Sequence, residues 1–421
     1  VKKILMIFIY RILINLILVL SPLIFLIRLL KKKEDPIRFK EKLGFFTKNR
    51  SKGKIIWFHG ASVGEFQSIV PLLEKFDKSK KISQILITSN TLSSSKLISK
   101  IKLKKISHQF FPIDNNLIIK KFIKYWKPSI ALFVDSEIWP NMLLNLNEKN
   151  IPTVLLNARI TKKSFKRWLK FPNFSKSIFN KFHLCLSSNK ETINFLKKLG
   201  AKNIKYFGNL KYSQSENEKI EIDNQTIKFI SKKTIWCASS THNSEEKFVG
   251  LVHNKLKKKY KNLLTVIIPR HIDRTKQIKD QLSDISLKTH MHEPKTRIHK
   301  DTDILLVNSF GKTKSFYSVI KNVFLGGSII NHGGQNPLEA VRYNCNILHG
   351  PNVYNFSEIY KFLKNQKISK KIQNLNQAVN TLDKLFASKK SQKNIKNKIN
   401  KIGKKILKKN IYEIDLILNK V

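Results

Sequence analysis

The feature that most constrains this chain is a rhythm of short apolar runs, each followed by a turn and a helical stretch, that plays once, pauses and starts again. In the first half the runs are KIIWFH (54–59), SQILITSN (83–90), SIALFVD (129–135) and TVLLNAR (153–159), with a helical pattern from Phe66 to Phe76 after the first. A polar stretch from Gln214 to Gln225 looks like a linker. The second half restarts with TIWCASS, LLTVIIPR, DILLVNS and NVFLGGS, and a lysine-rich, helical tail begins at Lys361. Continuous apolar strands alternating with helices specify parallel βαβ units buried on both faces. The expected fold class is therefore α/β: two tandem Rossmann-like domains, 34–215 and 216–421, with a cleft between them. Such folds bind ligands at the carboxyl ends of their strands.

Residues 1–33 stand apart. Ile12 to Ile27 is almost wholly aliphatic, broken by Asn15, Ser21 and Pro22 and flanked by Arg11 and Arg28. The run is slightly short of the roughly 20 apolar residues that cross a bilayer. It lacks a small-residue cleavage site, which argues against a removed signal peptide. A tilted span and a segment lying in the interface both remain open, and lysines at both ends leave the orientation open too.

The formal net charge is +53, from 81 Lys+Arg against 28 Asp+Glu. Lysine supplies most of it along the whole chain, as a biased genome would, but the excess also suits an anionic membrane or a nucleic acid. A nucleic-acid binder should show an aromatic-rich basic stripe or a known binding motif, and neither is present. Cys185, Cys237 and Cys345 are too scattered for a zinc site or a disulfide framework.

Four turns after strands carry chemistry. In HGASVGEF (59–66), Ser62 and Glu65 have the spacing of a capping box, and the same Glu65 is a carboxylate at a helix start, where the dipole favours its ionised form. An ionised carboxylate in a cleft is what deprotonating a hydroxyl requires. In VDSEIWPN (134–141), Glu137 follows a buried strand and Pro140 is fit to open a helix; a cap or a solvated residue is the plainer reading of that Glu. IIPRH (267–271) puts Arg270 at a strand end, where its planar fork suits phosphate. FLGGSIINHGGQNPLEA (324–340) runs a strand into two Gly-Gly pairs, then Asn336 as N-cap, Pro337 at the first helical position and Glu339 in the first turn. Glycines allow close backbone approach, a helix start attracts phosphate, and Glu339 can accept from ribose hydroxyls.

Together HGASVGEF, DSEIWPN, NARITKKS, FGNLKYS, ASSTHNSEE, IIPRH and GGSIINHGGQNPLEA resemble, in order, the signatures of bacterial 3-deoxy-D-manno-octulosonic acid (Kdo) transferases. The resemblance spans roughly Trp57 to Glu358 and implies a GT-B fold with an acceptor-binding first half, a CMP-Kdo-binding second half and an N-terminal membrane anchor helix. It implies inverting transfer of Kdo from CMP-Kdo to a lipid A precursor, as in lipopolysaccharide synthesis, on the cytoplasmic face of the inner membrane. It implies no cofactor, no catalytic metal and no nucleic-acid partner. By resemblance Glu65 is the general base, and Glu137 and Lys211 stabilise the transition state. Pro269 and Arg270, Phe310, Gly311 and Lys312, and Asn336, Pro337, Leu338 and Glu339 bind CMP. One departure is Lys312, where the family usually has Glu. The competing readings are another membrane-associated glycosyltransferase using a UDP-sugar and the basic nucleic-acid binder.

Overall fold

The structure, a computed structural model, describes residues 2–214, 222–293, 296–388 and 395–421. Most of the polar stretch expected to be a linker, residues 215–221, lies outside them. The chain forms two compact units, Val1–Ser215 with Lys401–Val421, and Glu216–Asn400.

The first unit is built on seven parallel strands: β1 (Ile55–His59), β2 (Gln84–Ser89), β3 (Ile106–Phe110), β4 (Ile130–Val134), β5 (Thr153–Ala158), β6 (Leu184–Ser187) and β7 (Ile204–Tyr206). Their order is β3-β2-β1-β4-β5-β6-β7. Every residue of β1, β2, β4 and β5 is buried, which is why these strands read as unbroken apolar runs. One core layer holds Trp57, Phe122 and Phe133; the other holds Phe58, Phe66 and Leu132.

The second unit has seven more parallel strands: β8 (Thr234–Thr241), β9 (Leu263–Pro269), β10 (Thr289–His292), β11 (Ile304–Val307), β12 (Asn322–Leu325), β13 (Asn346–His349) and β14 (Ser369–Lys371). Their order is β10-β11-β9-β8-β12-β13-β14. Each sheet reverses its winding once, between β1 and β4 in the first and between β8 and β12 in the second. At such a reversal the flanking helices diverge and leave a crevice beyond the carboxyl ends.

One boundary differs from the sequence reading. The second domain was expected to run to Val421, but residues 401–421 belong to the first unit. Ile406, Ile414 and Ile417 bury themselves in its core, Lys205 pairs with Glu413 at 2.7 Å, and Gly403 packs against the Tyr212 carbonyl where a Cβ would stand 2.1 Å away.

The N-terminal helix, Lys2–Leu30, is the one helix among the described residues long and apolar enough to cross a membrane, with a mean hydropathy of 2.5. It also docks along one stripe onto the first unit. Tyr10 donates to Asp114 Oδ2 at 2.7 Å, Arg11 Nε donates to Asn141 Oδ1 at 3.1 Å, and Asn115 Nδ2 donates to Asn15 Oδ1 at 2.7 Å. Ser21 and Phe25 continue that stripe as buried residues. The rest of the helix, from Ile4 to Leu30, exposes apolar side chains.

Candidate functional site

The first unit gathers its polar chemistry at the β1/β4 reversal. His59, the last residue of β1, is fully buried and stacks on Phe111 with ring centroids 3.7 Å apart. Its Nδ1 lies 3.0 Å from Thr88 Oγ1 and 3.1 Å from the Thr88 carbonyl, and Trp57 Nε1 donates to that hydroxyl at 2.9 Å. Its Nε2 faces Glu137 Oε2 at 3.1 Å, and Trp139 Nε1 donates to the same oxygen at 3.0 Å. Burial pushes the Glu137 carboxyl up, but His59, by hydrogen bond and charge, and Trp139 outweigh it and hold it below the usual range. Glu137 is therefore an anion in neutral solution, and an acceptor-only oxygen at that distance requires the proton of His59 on Nε2. Pro140 opens the helix Pro140–Glu148 directly behind, as its fixed φ allows.

Glu65 sits across the reversal, in the first turn of the helix Val63–Asp77. Its Oε2 accepts from Ala61 N at 2.7 Å, its Oε1 accepts from the Ser62 hydroxyl at 2.7 Å, and its own N–H donates to Ser62 Oγ at 3.3 Å. The capping role is real, and it orients the carboxylate. The helix start does not hold Glu65 ionised as expected, however. Burial, aided by the charges of Asp135 and Glu137, outweighs the Ser62 and Ala61 hydrogen bonds and pushes its pKa up to about 7. A carboxylate poised there can both accept and release a proton at working pH.

Cations complete the cluster. Lys211 lies in the short turn Leu210–Ser213, which Asn209 opens by accepting from Lys211 N at 2.9 Å. Leu210 N donates to Asn157 Oδ1 at 2.9 Å, tying this turn to the end of β5. Burial lowers the Lys211 pKa against the opposing charges of Asp135 and Glu65. Asp135 has a left-handed backbone, φ 62, and its Oδ1 lies 3.4 Å from Arg159 Nε. Burial raises its pKa, while Arg159 and Lys211 pull it down. A non-glycine residue in that region stores strain that only a fixed surrounding retains. So Glu137 and Lys211 both lie within electrostatic reach of Glu65. His59, Asp135 and Arg159 join them unforeseen. Their signal was available: each is a polar residue ending or directly following an apolar strand run.

In the second unit Pro269 closes β9, and Arg270 follows with an exposed side chain and its N–H on the Thr241 carbonyl at 3.0 Å. The glycine turn after β12 is clamped from within. Glu245, fully buried, accepts from the backbone N–H groups of His242, Gly327, Ser328 and Ile329 at 2.7–3.0 Å. A Cβ on Gly326 would stand 2.4 Å from the Ser240 carbonyl, so this glycine serves chain crossing. The expected helix start is also corrected by one residue. Pro337 is the N-cap of a short helix, Leu338–Arg342, and Asn336 Oδ1 accepts from Leu338 N at 3.2 Å. Five residues carry little dipole, so this helix start by itself offers an anion little. Phe310 is 75% exposed, Gly311 has φ 80, and Lys312 caps the helix Thr313–Val319. From that helix Lys314 Nζ reaches within 4.0 Å of Glu339 Oε1, which links the helix after Phe310–Lys312 to the Asn336–Glu339 segment. A basic cavity of about 1120 Å³ lined by Lys228, Lys233, Asn262 and Arg297 opens at the amino-terminal edge of this sheet, away from these segments.

Residues 37–214 match the family model described as 3-Deoxy-D-manno-octulosonic-acid transferase (kdotransferase). The chain is 31% identical to a 3-deoxy-D-manno-octulosonic acid transferase of Rickettsia bellii, over 86% of this chain and 87% of that one. It is 28% identical to the enzyme of the same name from Haemophilus influenzae, over 83% of this chain and 84% of that one. Among solved structures, a glycosyltransferase from Rickettsia africae superposes with a TM-score of 0.59 at 14% identity, covering 88% of this chain and 100% of that one. At that identity the likeness speaks for the fold alone.

Proposed function

Because the chain belongs to the 3-deoxy-D-manno-octulosonic acid transferase family, we propose that it transfers Kdo from CMP-Kdo to a lipid A precursor, with inversion and without a catalytic metal. The observation that carries the mechanism is the pair of carboxylates flanking the β1/β4 reversal, one poised near neutrality and one held ionised, with Lys211 in electrostatic reach. Glu65 takes the proton of the acceptor hydroxyl as that oxygen attacks the anomeric carbon of Kdo. The bond from that carbon to the phosphate oxygen breaks, and CMP leaves with the electron pair. A single displacement of this kind inverts the centre. Glu137, kept anionic by His59 and Trp139, faces the positive charge that an oxocarbenium-like transition state develops. Lys211 meets transition-state charge from the first unit, and Arg270, in the second, offsets the charge gained by the departing phosphate, the task a divalent cation performs elsewhere.

Measuring CMP release from CMP-Kdo beside UDP release from UDP-sugars tests this reading. Only CMP release, dependent on lipid acceptor, fits it; UDP release would transfer the chain to the competing class. Donor binding has its own expected pattern. Arg270→Ala and Glu339→Ala both weaken CMP binding, but only the Arg270 effect shrinks when salt screens the site. Calorimetric titration at two ionic strengths reads this, and unchanged affinity in both variants would move the donor site elsewhere.

The N-terminal helix supports membrane association, and the proposed reading places that membrane as the inner one with the catalytic units on its cytoplasmic face. Its polar residues Tyr10, Arg11 and Asn15 are engaged by the first unit, which favours a helix lying in the interface over a free-standing span. Arg11 also reaches Asn141, in the helix that follows Glu137, so the apolar surface is linked to the segment carrying the site. Replacing Phe8, Leu16 and Leu23 by Lys should spare the docked stripe, since all three are more than half exposed. We expect that variant to keep its activity on detergent-dispersed acceptor and lose it on acceptor embedded in vesicles. Equal activity on both would end the helix's role as anchor.

A further inference from the structure

Three histidines gather at the β8/β12 reversal, and the mechanism above uses none of them. His242 follows β8, His271 follows β9, and His332 lies in the glycine loop after β12. The His242 ring is 4.3 Å from that of His332 and 5.9 Å from that of His271, centroid to centroid. His242 is 9% exposed, whereas His271 and His332 are open to solvent. The Gln335 amide nitrogen lies 3.3 Å from His242 Nε2, immediately before the Asn336–Glu339 segment.

The charged groups that act on the His242 ring are all positive. Arg270 and Arg274 both act on His242. The nearby acids are already engaged: Glu245 holds four backbone N–H groups, and Glu246 pairs with Arg274 at 3.1 Å. Among the described residues Arg270 has no ion-pair partner, and no set of three His, Cys, Asp or Glu side chains is placed to hold a metal ion. Burial first, then His332, His271 and the two arginines, pushes the His242 pKa down to about 4. The free site therefore keeps this ring neutral, with Nε2 turned to the Gln335 amide as an acceptor. An arriving anion reverses that balance, because opposite charge at close range favours the protonated ring. The Gln335 amide then turns its oxygen to the new N–H. The reversal point is also where an open parallel sheet leaves room for a ligand.

We propose that His242, His271 and His332, with Arg270, form an anion site that holds one anionic oxygen group of the donor, phosphate or carboxylate, and that His242 takes up a proton as the anion binds. This rests on reading the second unit as the donor-binding half. The test is calorimetric titration of the full chain with CMP and with cytidine, in two buffers of different ionisation enthalpy, beside the KM for CMP-Kdo. We expect proton uptake on binding CMP and none on binding cytidine. His242→Asn should abolish the uptake and weaken CMP about tenfold, as loss of a charge-assisted hydrogen bond does, with cytidine unaffected. His332→Asn, at an exposed loop position, should weaken CMP in the same direction. If CMP is unaffected in both variants but KM for CMP-Kdo rises about tenfold, the anion held is the sugar carboxylate, and the site stands. Equal losses for CMP and cytidine, or no change in any of the measurements, would overturn it. Wild-type protein that binds neither CMP nor CMP-Kdo would instead remove the donor-domain reading on which the proposal depends.

Discussion

Replacing Glu65 by Gln is expected to lower turnover by about 10²–10⁴-fold, the range that removal of a general base commonly costs, while leaving CMP affinity nearly unchanged. Gln keeps the shape and can still bond Ser62 and Ala61, so the helix start survives and the loss reports proton transfer. The pH dependence gives a second reading. A base must be ionised to act, so wild-type activity should rise through a limb near the Glu65 pKa of about 7, and the variant should lack that limb. Stability runs the other way. A carboxyl whose folded pKa is raised binds more protons folded than unfolded, so its contribution is full at low pH and is lost as pH climbs through about 7. The thermal stability of the wild type should therefore fall over the window in which activity grows, and Glu65→Gln should flatten that trend. Near-normal turnover in a variant of unchanged stability would leave Glu65 a capping residue only.

Much of this was legible in the sequence, for a physical reason. β1, β2, β4, β5, β8 and β9 are buried on both faces, so their apolar runs had to be continuous. The strands that escaped notice are short, and several lie near the sheet edges. β3 carries His108 and Gln109, β10 is THMH, and β14 is SKK. Partial exposure in β10 and β14, and buried but hydrogen-bonded polar side chains in β3, blur the signal. The tail's isoleucines announce a buried face without naming the core that receives it, which is the first unit's. Docking of the N-terminal helix was visible in principle, since Tyr10, Ser21, Phe25 and Arg28 recur near a helical period, but aliphatic content dominated. Glu65 illustrates the deeper limit. Its spacing from Ser62 gave the cap, while its pKa depends first on burial and then on Asp135 and Glu137, more than sixty positions further along the chain.

Lys211→Met should be the next most damaging change, lowering turnover by about 10²–10³-fold, as loss of one preorganised group facing transition-state charge does. The side chain keeps its length and its apolar stem, so packing of the Leu210–Ser213 turn should hold. CMP affinity should stay normal, because the proposed donor residues all belong to the second unit whereas Lys211 belongs to the first. Asp135 supplies an internal check. Lys211 and Arg159 together counter the burial that raises its pKa. Removing one of the two cations leaves Asp135 protonated to a higher pH, which carboxyl titration followed by NMR or infrared spectroscopy can register. Lys211→Arg should hold the Asp135 titration near its original place. It should recover only part of the turnover, since a planar guanidinium cannot occupy the point an ammonium does. If Met leaves turnover within a few-fold of wild type, Lys211 only balances Asp135, and the transition-state charge must be met by Arg159 or from the donor side.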